Sequence, residues 1–120
     1  YQMTVEADLF NLLKKLVSNR AFTDFAPVNT TRPYITYQQI GGEVVVFTEG
    51  AMSDHDNARF QINVWGDTRA SVKSISKQIE TLLVGSSVFQ AQPESAARAD
   101  YDHDSLVYGS MQDFSIWSVR

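Results

Sequence analysis

The chain has 120 residues, 43% of them hydrophobic, with 10 Lys and Arg against 14 Asp and Glu for a formal net charge of -4. That length and apolar content suit one globular domain with a real core and argue against disorder. The acidic balance argues against charge-driven nucleic-acid binding, the lack of cysteine excludes a disulfide framework or thiolate metal site, and no apolar run approaches the roughly 18 residues of a membrane helix.

The chain opens Tyr1-Gln2-Met3, and Met3 is read as the native initiator with Tyr1 and Gln2 left by cloning. No stretch has the pattern of a secretory signal. Thr4 can cap a helix starting at Val5, with Glu6 and Asp8 in the first turn and Lys14, Lys15 and Arg20 toward the end, near Asn19. Its apolar face is Val5, Leu9, Leu12, Leu13 and Leu16, broadened by Phe10 and Val17, and a face that wide is core. From Ala21 to Pro33, Pro27, Asn29, Thr30, Thr31 and Pro33 break any pattern, so a connection is expected, with Phe22 and Phe25 tucked on the core.

Tyr34 to Ile40 is β-prone, and Gly41-Gly42 suits a tight turn into a return strand or extended loop over Glu43 to Thr48. Glu49 to Asn57 is rich in turn residues and is expected to be an exposed loop that a neighbouring subunit orders. Ala58 to Gly66 then alternates. Phe60, Ile62 and Val64 point one way; Arg59, Gln61, Asn63 and Trp65 point the other.

After Asp67 or Thr68 as cap, the period changes, and Val72, Ile75, Ile79 and Leu82 make a helical stripe that Gly85 can stop in a left-handed conformation. Ser87 to Gln92 is a short strand candidate, and Glu94 to Ser105 has no periodicity and reads as a long loop. Leu106 to Val119 alternates again, Phe114 and Ile116 against Asp113, Ser115 and Trp117, and should pair with the central strand. The reading is α+β over residues 1–120 as a single domain: a small antiparallel sheet of about four strands, with two helices packed on one face.

In this order and spacing, a short amphipathic helix, Arg32 to Tyr37, Ala58 to Trp65 with its following helix, Asp100-Tyr101-Asp102, Leu106 with Tyr108, and Asp113 to Trp117, the chain resembles the tail completion, or tail terminator, proteins of long-tailed bacteriophages and prophages. The resemblance covers about Val5 to Trp117. It implies a structural virion protein of the phage tail, built in the host cytoplasm, without catalysis or cofactor. Its implied partners are itself in a hexameric ring at the head-proximal end, the tail-tube protein and the head connector. DNA would be only passing cargo, and no membrane is involved. The ring would end tube growth and join tail to head.

The alternative is a small metal-dependent enzyme or binding module using a duplicated triplet, Asp54-His55-Asp56 and Asp102-His103-Asp104. Such residues can ligate zinc or manganese if two loops converge. However, they lie among turn residues, and neighbours along a turn diverge, so each triplet offers few ligands. Ser105 beside His103 and Asp104 is adjacency rather than a triad, Gly41-Gly42 lacks phosphate-loop partners, and the Asp100 to Asp104 run lacks the glycine and glutamate of a calcium loop. No catalytic, cofactor or metal residue is therefore assigned. The candidate interface is the face opposite the core: Arg59, Gln61, Asn63, Trp65, Asp113, Ser115 and Trp117. Two tryptophans on an otherwise polar strand face suit a joint between proteins; the alternative is that each ring folds over a sheet edge and packs on the Phe22–Phe25 connection.

Overall fold

The computed structural model describes residues 4–44, 55–104 and 106–119. The elements run α1 (Val5–Leu13), a 3-10 turn (Lys14–Leu16), β1 (Ala21–Thr23), β2 (Tyr34–Gly41), β3 (His55–Gly66), α2 (Arg69–Val84), β4 (Gln90–Pro93), β5 (Arg98–Asp102) and β6 (Val107–Val119). The class is α+β, but among the described residues the sheet has six strands rather than four, and it is mixed rather than purely antiparallel. Its order is β1-β2-β3-β6-β4, with β5 also paired to β6. Strand β1 runs parallel to β2, and all other pairs are antiparallel.

Both helices start where the sequence places a cap. The Ala7 N–H donates to Thr4 Oγ1 (3.1 Å), and the Ser71 N–H donates to Thr68 Oγ1 (3.1 Å). Each bond satisfies an amide that the first helical turn leaves open. Asp67 instead accepts from Arg32 at 3.1 Å. The regular part of α1 stops at Leu13, earlier than expected. The 3-10 turn continues it, and Ser18 and Asn19 then adopt left-handed conformations (φ 51° and 70°). Gly85 ends α2 with φ -85° and no left-handed step; its N–H reaches back to Thr81 O at 3.1 Å.

The core combines the inward side of the sheet with both helices. Phe60, Ile62, Val64, Phe114 and Ile116 meet Val72, Ile75, Ile79 and Leu83 of α2 and Leu9 and Leu13 of α1. The buried α2 stripe ends on Leu83 rather than Leu82, which is half-buried. Leu83 is one full step of four from Ile79, so it stays above the same face. The helices do not share one position on that face: α2 lies against β3, β4 and β6, whereas α1 meets α2 and the edge strand β1.

Segments without periodicity hold the other differences. The connection after α1 contains β1, which uses the free edge of β2 (Ala21 opposite Ile35). Phe22 packs edge-on against Tyr34, with centroids 6.5 Å apart, but Phe25 is 79% exposed and does not tuck in. Gly41 does not turn the chain: it still pairs with Arg59 of β3, after a bulge. At Gly42 (φ 152°) a Cβ would lie 2.3 Å from Asn57 O, so only glycine fits there. Strand β3 begins at His55, which removes His55 to Asn57 from the expected loop. The rest of that loop and of the return strand, residues 45–54, lies outside the described residues. The short strand expected at Ser87 to Gln92 is β4, shifted to Gln90–Pro93, and the expected long loop contains β5.

Candidate assembly face

Strands β3 and β6 pair without interruption from His55 opposite Val119 to Gly66 opposite Tyr108. Because side chains alternate, this register collects the predicted residues on one face, away from the core. Arg59 stands opposite Ser115, Gln61 opposite Asp113, and Asn63 opposite Met111. Trp65 faces Gly109 and Trp117 faces Asn57, so the two tryptophans lie at opposite ends of the face, about 27 Å apart along β6.

The tryptophans also differ in attachment. The Trp65 ring lies over Gly109, where an added Cβ would come within 2.7 Å of Cζ3. Its Nε1 donates to Thr36 Oγ1 of β2 at 3.2 Å. Trp65 thus spans three strands and is fastened to the sheet. Trp117, in the strand's last turn of alternation, is half-buried beside the Asn57 pair. Asn57 Nδ2 donates to Ser115 Oγ at 2.8 Å, and the Glu43 N–H donates to Asn57 Oδ1 at 2.9 Å.

Charge on this face is arranged across strands. Arg59 Nε donates to Glu94 Oε1 at the end of β4, and Glu94 is held in place by its N–H to Asp113 O (2.9 Å). Arg98 Nη2 of β5 lies 3.8 Å from Asp113 Oδ1, an ion pair too long for a hydrogen bond. Asp113 Oδ1 and Asn63 Oδ1 are buried atoms without a hydrogen-bond partner among the described residues. Acceptors in that state are uncommon in folded proteins. Glu94, Arg98 and Thr36 therefore belong to the face although sequence reasoning missed them. Glu94 and Arg98 sit in the aperiodic stretch, and only pairing to β6 brings them to it.

At the start of β2, burial raises the Tyr34 phenol above its ordinary 10.0; Arg32 lowers it and Asp102 raises it further. Nearby, His103 packs edge-on against Tyr101 at 4.8 Å, and Tyr101 lies 4.9 Å from Tyr108. The two Asp-His-Asp triplets do not meet. His55 pairs with Val119 and Asp102 with Val107, at opposite ends of β6 and about 40 Å apart. Asp54 lies outside the described residues, and among the described ones no three His, Asp or Glu are grouped to hold a metal ion.

The family model of tail completion protein gp17 matches residues 7–118. The chain belongs to that family. A solved structure titled as the virion of a native gene transfer agent particle shares the fold: TM-score 0.63, 16% identity, covering 95% of this chain and 91% of that one. A second solved chain matches at TM-score 0.53 and 11% identity, over 98% of this chain and 97% of that one. A comparison with curated proteins returns no match. The tail completion family gives this chain a structural role in phage tail assembly and suggests a non-enzymatic protein. Among the described residues, no helix is long and apolar enough to cross a membrane.

Proposed function

We propose that this tail completion protein works as a ring, with six copies at the head-proximal end of the tail, and that the β3–β6 face is a joint of that assembly. The ring ends growth of the tail tube, meets the head connector, and leaves a lumen through which DNA passes. Assembly takes place in the host cytoplasm. The observation that carries the reading is the register that gathers Arg59, Gln61, Asn63, Asp113, Ser115 and Trp117 on the side of the sheet away from the helices. The Asn63 and Asp113 Oδ1 atoms, which accept no hydrogen bond among the described residues, support it, because donors from a neighbouring protein would complete them.

The test is the mass in solution, with and without the tail-tube protein, for the natural chain and for Gln61→Arg combined with Trp117→Ser. Ring formation or tail joining by the natural chain, lost in a variant with an unchanged circular dichroism spectrum, is the expected result. A variant that folds and assembles normally removes this face from the joint.

A further inference from the structure

On the α2 side of the molecule, a cavity of about 650 Å³ opens between α2 and the crossover from β4 to β5. That is within the range of about 300–1,000 Å³ typical of ligand sites. One wall is a cationic stripe, Arg69, Lys73 and Lys77, and the other is the small-residue run Ser95-Ala96-Ala97. Both walls are fixed. Arg69 donates to Gly109 O (2.6 Å) and Asp100 O (2.7 Å), and Gln112, 3% exposed, donates from Nε2 to Ser95 O at 2.8 Å. Glu94 at the rim is already paired with Arg59. Lys73 and Lys77 are exposed and form no ion pair among the described residues. The groove therefore carries a surplus of positive charge, opposed by Glu80 at one end, on a chain whose net charge is -4.

We infer that this groove binds an extended acidic segment of a partner protein. Cations four residues apart on a helix are spaced by about 6 Å. Carboxylates on alternate residues of an extended chain are spaced by about 6.6 Å, close to the same repeat. A preformed groove with matching charge loses little on ordering and favours such a partner over neutral ones. A polyanion as dense as duplex DNA is disfavoured, because Glu80 lines the same groove as the stripe. The groove lies on the α2 side of the sheet and meets the β3–β6 face at Glu94, whereas Lys73 and Lys77 are not part of that face, so either assignment can fail alone.

The experiment uses the full chain, labelled with 15N, at about 0.15 M salt, where screening acts beyond roughly 8 Å. The probe is the peptide Gly-Asp-Ala-Asp-Ala-Asp-Gly, with its Asn counterpart as control. The acidic peptide is expected to shift amide signals over residues 69–80 and 94–99, and the Asn peptide is not. Lys73→Glu combined with Lys77→Glu should weaken binding at least tenfold at an unchanged unfolding temperature, with Lys73→Gln and Lys77→Gln as a milder pair should the reversal disturb folding. No binding, equal binding of the Asn peptide, or shifts confined to β3 and β6 overturns the inference. Tighter binding of a 20-base-pair duplex assigns the stripe to nucleic acid instead, and a dimer abolished by the lysine reversal assigns it to a second copy.

Discussion

Trp65 and Gly109 are direct cross-strand partners, and the indole of the first occupies the space that any side chain on the second would fill. A glycine in the interior of a long strand is ordinarily a weakness, and an aromatic ring laid over it restores packing. Gly109→Ala is expected to cost roughly 1–3 kcal/mol through overpacking. The double variant with Trp65→Ala should cost less than the sum of the two single changes, because both act on one contact. Additive urea midpoints would show that the ring is not held there.

The α2 stripe makes a second prediction. Ile79 is 2% exposed and Leu83 fully buried, so truncating either to alanine should cost roughly 2–5 kcal/mol. Leu82→Ala, at a half-buried position, should cost about 1 kcal/mol. Equal denaturation midpoints for the Leu82 and Leu83 variants would place the wrong side of the helix against the sheet.

Tyr34 gives a pH dependence of known sign. Its folded-state value lies above 10.0, chiefly through burial, so folding favours the neutral phenol. The stability this contributes is complete below about pH 10 and is lost as pH rises through the higher folded value. Tyr34→Phe cannot ionise, so its stability should gain on the natural chain as pH rises above 10. Urea midpoints followed from pH 8 to 11 test this, and parallel curves for the two proteins would refute it.

The separation of the two Asp-His-Asp triplets along β6 leads to a fourth. A metal held jointly by both would raise the melting temperature by mass action. With about 40 Å between them, zinc, manganese and calcium at up to 100 µM (about the range that populates a weak specific site) are expected to leave the melting temperature unchanged. A rise that depends on both His55 and His103 would contradict the register.

Much of this architecture is legible in the sequence because periodicity is a local property. Thr4 and Thr68 mark the helix starts, and the alternation of Ala58 to Gly66 and of Asp113 to Trp117 separates core from outer face without knowledge of what packs on them. That is enough to place Arg59, Gln61, Asn63, Asp113 and Ser115 on one surface once the two strands pair. Tertiary structure alone decided β1 and β5, and it fixed the bounds of β4, which the sequence offers as a short strand at Ser87 to Gln92. Each of the three is at most five residues long, and β1 and β5 have no usable pattern; they are strands because β2 and β6 present backbone amides and carbonyls that need partners. It also decided the state of Trp65. Parity assigns the residue to the outer face, but whether its ring stands free or lies flat depends on Thr36 and Gly109, which strand pairing brings beside it from distant parts of the chain.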